Sequence, residues 1–283
     1  MTSSRADATL TDGLGRRIEY LRISVTDRCN FRCRYCLPTR GLEWLPRDEI
    51  LSYEEIAGVV RELAPLGLRR VRLTGGEPTI RPELDRLVAM LRDVPEVDDL
   101  SLSTNGVHLP RLAQPLRDAG LRRVNISADS LRPERVAAIA RRDLGFDPLA
   151  AARAADAAGL TPVKLNVVLM RGINDDEIED FAALTLRHDW HVRFIELMPV
   201  GELRDLTDAH IVPTPEVVRR VEALGRLAPV DGPVGNGPAR YARLPGAKGT
   251  IGFITPMTHT FCDGCNRVRL TADGRLRTCL FGT

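Results

Sequence analysis

A chain of 283 residues with 43% hydrophobic and 28% charged side chains has the composition of a folded protein with one large α/β unit, which excludes a disordered or fibrous chain. Forty basic against 38 acidic residues leave a net charge of +2, too little for a strong pull toward nucleic acid or a membrane surface. No apolar run is long enough to span a bilayer and "MTSSRADATL" has no signal-peptide core, so neither a membrane nor a nucleic-acid partner is expected and the location expected is cytoplasmic.

In chain order, the first dozen residues read as a mobile arm. Strand-like runs follow at 18–26, 69–74, 100–104, 124–128, 163–170 and 192–197. Between them lie amphipathic stretches such as "SYEEIAGVVRELAPL", "RPELDRLVAMLRDV", "LPRLAQPLRDAG" and "DDEIEDFAALTLRHD". The second of these opens on Pro82 with acidic Glu83 and Asp85, as a helix N-terminus prefers. Strand–helix alternation at this spacing predicts a parallel sheet with right-handed crossovers. Six units of it predict an α/β fold, an incomplete (β/α)6 TIM-like barrel over residues 1–200.

After Pro199 the pattern changes, and 201–283 reads as a C-terminal extension. It contains a helix in "PTPEVVRRVEALG", a Gly/Pro-rich loop in "VDGPVGNGPAR", a strand in "GTIGFIT", and "NRVRLTADGRLRTC". Asp273-Gly274 between two alternating runs in the last of these is a hairpin signal.

Unusual residues fall where the predicted strands end. A cysteine loop follows the first strand and "TGGEP" the second; "STNG" ends the third and "SADS" the fourth. Lys164, one of only two lysines in the chain, shares a face of the fifth strand with Asn166, and "ELMP" closes the sixth. Each of these alone reads as turn chemistry. Repeated strand after strand they predict a site, because parallel barrels carry their chemistry at that rim.

All six cysteines fall in two groups of three: Cys29, Cys33 and Cys36, then Cys262, Cys265 and Cys279. In a reducing compartment, clustered cysteines point to metal or catalysis rather than disulfides. Three thiolates suit a cubane iron–sulfur cluster that keeps one iron open for a small molecule. Zinc is the alternative. The first group has no histidine nearby, whereas His259 could complete a Cys3His set with the second. These residues alone reach as far as an iron–sulfur enzyme with an anionic substrate.

The C-x3-C-x2-C loop with Tyr35 before its last cysteine, and "TGGEP" after the second strand, resemble the radical S-adenosylmethionine superfamily. "LRISVTDRCNFRCRYCLP", "LTGGEP", "FIELMPVG" and "FCDGCNRVRLTADGRLRTCLFG" narrow the resemblance to its GTP 3′,8-cyclase family, from about Leu21 to the end. That resemblance implies two [4Fe–4S] clusters and S-adenosylmethionine as cofactors. Cys29, Cys33 and Cys36 would hold the first cluster, with Tyr35, Gly76, Ser127 and Met198 against S-adenosylmethionine. Gly75 and Gly76 would let backbone approach that ligand closely. Cys262, Cys265 and Cys279 would hold a second cluster whose open iron meets the guanine of GTP. Arg22, Arg72, Ser103, Lys164, Arg267, the backbone at Val268, and Arg269 would bind GTP, with Arg267 and Arg269 also stabilising an electron-rich intermediate.

By the same resemblance an adenosyl radical takes hydrogen from C3′ of the ribose and the C3′ radical attacks C8. The product, 3′,8-cyclo-7,8-dihydro-GTP, would pass to cyclic pyranopterin monophosphate synthase, the first step of molybdenum cofactor biosynthesis being this one. A homodimer and a flavodoxin- or ferredoxin-type electron donor are implied. The chain stops at Thr283, four residues past Cys279, short of the family's Gly-Gly tail, so both clusters and S-adenosylmethionine are expected to bind but GTP to be cyclised poorly. Rival readings are a peptide-modifying radical enzyme with an auxiliary cluster, a two-cluster electron-transfer protein, which would call for four cysteines per cluster, and a zinc-stabilised binding module.

Overall fold

The six predicted strands form within two residues of their expected bounds: β1 (Tyr20–Ser24), β2 (Arg70–Thr74), β3 (Asp99–Thr104), β4 (Arg123–Ser127), β5 (Lys164–Leu169) and β6 (His191–Glu196). They pair in parallel, each with the next. The computed structural model describes residues 9–38, 42–198, 206–233 and 237–280. Pro199, the residue after which the sequence pattern changes, lies outside the described residues.

The helices between the strands are α1 (Tyr53–Leu63), α2 (Leu84–Arg92), α3 (Leu109–Ala119), α4 (Pro133–Ala140), α5 (Pro148–Ala157) and α6 (Ile178–Arg187), followed by α7 (Thr214–Val221). Ser52 caps α1 through a reciprocal bond with Glu55, which satisfies two otherwise orphaned N–H groups. The helix read from Pro82 begins two residues later, at Leu84, because Glu83 is left-handed at φ 54°. The helices bury Ile56 and Val60, Leu87 and Leu91, and Phe181 against Leu21, Leu73, Val124, Leu165 and Val192 of the strands. That contiguous apolar layer fixes where each strand ends and therefore where the rim residues stand.

The C-terminal region is not a separate layer. It supplies β7 (Ala228–Val230), β8 (Arg240–Arg243), β9 (Thr250–Ile254), β10 (Arg267–Leu270) and β11 (Leu276–Arg277) to a single sheet of order β11-β10-β1-β2-β3-β4-β5-β6-β9-β8-β7. β10 adds in parallel to β1 and β9 in parallel to β6, so both edges of the six-stranded partial barrel are covered from the same segment. The physical reason is that bare edges expose unpaired N–H and C=O groups. The expected hairpin is β10–β11, antiparallel, turning at Gly274 with φ 84°. β7 and β8 had no sequence signal, and β8 begins at Arg240, inside the stretch read as loop; residues 234–236 of that stretch are outside the description.

The N-terminal arm is tied down where it is described. Leu10 N–H donates to Leu66 O at 2.9 Å, Ile18 N–H to Leu10 O at 2.8 Å, and Thr11 bridges Arg17 antiparallel. Residues 9–12 are thus held by an isolated bridge and backbone bonds rather than forming a mobile arm, and 1–8 are outside the description. Among the described residues no helix is long and apolar enough to cross a membrane.

Candidate active site

The loop after β1 is zipped to the loop after β2. Gly76 N–H donates to Thr26 O and Glu77 N–H to Arg28 O, both at 2.8 Å. Gly75 and Gly76 are needed here for packing against protein: a Cβ on Gly76 would lie 2.1 Å from Arg28 O, and one on Gly75, at φ 154°, 2.5 Å from Thr26 O. Glu77 is 1% exposed and accepts from Thr79 N–H and hydroxyl, Thr104 hydroxyl and Asn105 N–H at 2.6–3.0 Å. That carboxylate locks the "TGGEP" turn to the end of β3. On its other side the cysteine loop donates Arg32 N–H to Ala140 O and Arg34 N–H to Ile139 O, at the end of α4.

Cys29, Cys33 and Cys36 face one cavity of about 230 Å³, shared with Tyr35, Gly76, Ser127 and Asp129. Burial pushes all three thiols up, Cys29 to about 11. They are neutral in this environment, so a cation is needed to draw out the thiolates that ligate metal. Tyr35 hydroxyl donates to Asp129 Oδ2 at 2.6 Å, and Val168 N–H to Asp129 Oδ1 at 2.9 Å. Burial raises Asp129 to about 6 against the pull of those two bonds.

A second cavity of about 280 Å³ opens beside it, and Arg22 and Ser103 line both. Its wall is cationic. Register places Arg22 opposite Arg72 on one side and Arg269 on the other, across β2, β1 and β10. Like charges directly opposite on a sheet repel, so nothing in folding alone recommends this row. Arg193 of β6 and Arg267 complete the wall. Desolvation, then the neighbouring cations, lower Arg22 to about 10; desolvation brings Arg72 to about 9. Arg22 Nε, Arg193 Nε, Tyr20 Oη, Asn125 Oδ1 and Asn166 Oδ1 all line the cavity and are buried without a partner among the described residues. Each such atom costs about 1–3 kcal/mol in a bare protein.

Cys262, Cys265 and Cys279 also line this cavity. Arg267 Nε donates to Cys265 Sγ at 3.4 Å. Burial would raise the Cys265 thiol, but the bonds and charge of Arg267, with the charge of Arg16, carry it below the ordinary value. Among the described residues no three His, Cys, Asp or Glu side chains gather at the spacing of a single metal ion, and His259 lines neither cavity. A zinc tetrahedron needs four donors about 2.0–2.3 Å from one point. An iron–sulfur cube carries its irons at separate corners, so three thiols around a cavity suit it.

Residues 23–185 match the Radical SAM superfamily, and 190–283 match Molybdenum Cofactor Synthesis C. The chain is 50% identical over 273 residues to the GTP 3′,8-cyclase of Pelotomaculum thermopropionicum, covering 96% of this chain and 84% of that one. The GTP 3′,8-cyclase of Moorella thermoacetica is also 50% identical, over 272 residues, with the same shares covered. The chain belongs to the GTP 3′,8-cyclase family. Its fold is that of radical S-adenosylmethionine proteins, as in Streptococcus suis SuiB bound to S-adenosylmethionine, with a TM-score of 0.64 at 14% identity over 93% of this chain and 60% of that one. Membership implies one [4Fe–4S] cluster and S-adenosylmethionine.

Against this family background, the expected site residues divide between the cavities. Tyr35, Gly76 and Ser127 line the first, together with its three cysteines. Met198 lines the second, apart from the other three residues expected at S-adenosylmethionine. Ser103 and Arg22 stand at the seam, and Arg72, Arg267 and Arg269 line the second cavity. Val268 is buried in the core, which leaves only its backbone for a ligand. Lys164 is 2% exposed, two residues nearer the start of β5 than Asn166, and lines neither cavity. Desolvation, followed by Arg193, Arg123 and Arg72, lowers it to about 6.

Sequence reasoning missed Glu77, Asp129, Tyr20, Asn125 and Arg193. A signal existed for two of them. Arg193 and Asn125 are polar residues inside "HVRFIE" and "RVNIS", strands buried on both faces, where such a residue needs a partner.

Proposed function

We propose that the chain joins C3′ of the ribose to C8 of guanine in GTP, giving 3′,8-cyclo-7,8-dihydro-GTP, the first step of molybdenum cofactor biosynthesis. The observation that carries this reading is the junction of two cysteine-lined cavities at Arg22 and Ser103, with a row of arginines along the inner wall of the second. When bound at Cys29, Cys33 and Cys36, the first cluster supplies one electron to the sulfonium of S-adenosylmethionine, which yields methionine and the 5′-deoxyadenosyl radical.

The remaining work falls to this chain's own residues. Ser127 and the Gly75–Gly76 turn shape the cavity for S-adenosylmethionine, with Tyr35 held in place by Asp129. Arg22, Arg72, Arg193 and Arg269 give the triphosphate charge-assisted bonds, each worth about 1.5–3 kcal/mol. These bonds also relieve the two unpartnered guanidinium nitrogens. Cys262, Cys265 and Cys279 would hold a second cluster, which would offer a coordination site to the guanine, and Arg267, already on Cys265 Sγ, orients that edge. Two ligands held across one seam turn a bimolecular hydrogen transfer into a proximity-driven one and exclude water from the radical. Residues 1–200 supply the S-adenosylmethionine half of the site and 201–283 the guanine half. The enzyme works as a homodimer and draws two electrons per turnover from a flavodoxin- or ferredoxin-type donor. One cleaves S-adenosylmethionine; the other, with a proton, reduces the cyclised radical to the dihydro product, which passes to cyclic pyranopterin monophosphate synthase.

The test uses anaerobically reconstituted protein, dithionite, S-adenosylmethionine and GTP deuterated at C3′. Deuterium in the 5′-deoxyadenosine supports the reading; unlabelled 5′-deoxyadenosine with GTP intact overturns it.

A further inference from the structure

The segment that runs into β1 touches the Cys262–Asn266 loop at three points. Arg16 Nη1 donates to the carbonyl of Cys262 at 2.5 Å. Glu19 and Tyr20 N–H donate to Asn266 O at 3.2 and 3.3 Å. The two carbonyls bracket Cys265 in the sequence, so the loop that carries two of the three thiols is gripped at both ends.

Arg16 is itself held. Asp12 Oδ2 accepts from Arg16 Nε at 2.7 Å and pairs with Nη2 at 2.6 Å, so two nitrogens of the guanidinium converge on one carboxylate oxygen. Asp12 Oδ1 accepts the N–H groups of Leu14 and Arg16 at 2.9 and 3.0 Å, and Gly15 N–H closes on Asp12 O. Every acceptor of one carboxylate is used to shape a five-residue turn around one guanidinium. The turn is anchored in the fold by Leu10, which packs on the main core and bonds Leu66 O.

We propose that Arg16, locked by Asp12, is a positioning residue for the second cluster: it fixes the Cys262–Asn266 loop against the barrel and keeps a permanent positive charge beside its thiolates. This rests on the reading that Cys262, Cys265 and Cys279 hold a cluster. The loop needs such a device because Cys262 on it, and Cys279 beside it in the same set, are exposed. A fixed cation beside an anionic cluster favours its reduced form, so loss of Arg16 shifts the reduction midpoint of that cluster to lower potential.

The experiment compares anaerobically reconstituted wild type, Arg16→Ala, Asp12→Asn and Cys262→Ala by iron content, by redox titration of each cluster followed by electron paramagnetic resonance, and by KM for GTP. Wild type is expected to hold about eight irons per chain and Cys262→Ala about four. Arg16→Ala is expected to fall between them, to lose signal from the second cluster only, and to raise KM for GTP about tenfold with 5′-deoxyadenosine formation retained. Asp12→Asn keeps the backbone contacts of the turn and frees the guanidinium, so it decides the matter if Arg16→Ala fails to fold. Full iron and unchanged KM for GTP in Asp12→Asn, or an unshifted midpoint in a folded Arg16→Ala, overturn the proposal. If wild type and Cys262→Ala both hold about four irons, the second-cluster reading itself has failed and the clamp with it.

Discussion

The two cysteine groups are built by opposite means. The first sits on one loop, zipped to the β2 loop on one side and to the end of α4 on the other; Cys36 is exposed there, Cys29 and Cys33 are half-buried, and desolvation pushes all three thiols up. The second is split between a loop and the far end of the β10–β11 hairpin; Cys262 and Cys279 are exposed, and guanidinium groups draw Cys265 toward thiolate. One site is an outgrowth of the barrel core. The other is assembled near the edge of the sheet, outside the six-stranded barrel, from pieces brought by the N-terminal turn, β6 and the β10–β11 hairpin. Damage to the core should therefore take both sites, whereas damage at the edge should take only the second.

The largest separation is expected from the ligands. Cys33→Ala should abolish all 5′-deoxyadenosine formation. Cys265→Ala should lose the cyclised product while still cleaving S-adenosylmethionine, as measured by chromatography of the nucleosides. A Cys265→Ala protein unable to make 5′-deoxyadenosine would show that the two regions cannot be separated.

Gly76→Ala attacks the first site through packing alone. Its new Cβ would meet the Arg28 carbonyl at 2.1 Å, a backbone group that can yield only by breaking the Gly76–Thr26 and Glu77–Arg28 bonds. Overpacking of this kind costs about 3 kcal/mol. The expected result is a lowered unfolding temperature and loss of the first cluster's iron. Retention of both would mean that the two loops are free to part.

Glu196→Gln is the matching edge lesion. Glu196 is 3% exposed. It accepts from Thr214 N–H and hydroxyl at 3.1 and 2.8 Å, Met257 and Thr258 N–H at 3.0 Å, and Thr258 hydroxyl at 2.7 Å. It thereby ties β6 and α7 to the turn that leads into Cys262. A glutamine turns one acceptor into a donor facing donors, which costs about 2 kcal/mol. The second site should loosen, with KM for GTP raised and cleavage of S-adenosylmethionine unchanged. Equal loss at both sites would sink the edge-and-core division.

The sequence disclosed the core more fully than the edge, for a physical reason. β1 to β6 are apolar runs separated by helix-length spacers, and burial on both faces writes them plainly into composition. The Gly-rich turn and both cysteine groups are legible because few residues can take those places. β7 and β8 are short outer strands made by pairing, not by their own pattern, so "APV" and "RYAR" carry no signal. That β9 and β10 land on opposite edges of one sheet is a long-range fact with no local trace. Asp12 and Arg16 likewise look like a surface turn until the fold brings Cys262 to them. Arg193 could have been found, since a lone arginine in a buried strand implies an anion.

The smallest expected effect tests a buried lysine that lines neither cavity but feels Arg193 and Arg72 of the second. Lys164 is lowered to about 6, first by desolvation and then by Arg193, Arg123 and Arg72, with Asp99 opposing. His191, on the neighbouring strand, is lowered to about 4 by burial and by Lys164 itself, so it stays neutral at working pH. Lys164 is therefore largely uncharged in the free protein at pH 7, and a triphosphate arriving at the neighbouring arginines is expected to raise its pKa. Binding takes up a proton: the contribution of Lys164 is full below pH 6 and fades as pH rises through the higher pKa of the bound state. One linked proton changes affinity by at most about tenfold per pH unit. KM for GTP should thus climb between pH 6.5 and 8 in wild type more steeply than in Lys164→Met, which removes the titrating group and keeps the stem. The variant is needed because the terminal phosphate of GTP loses its own proton in the same range and works in the opposite sense. Only the difference between the two profiles reports on the lysine; parallel profiles would show that it never meets the phosphates.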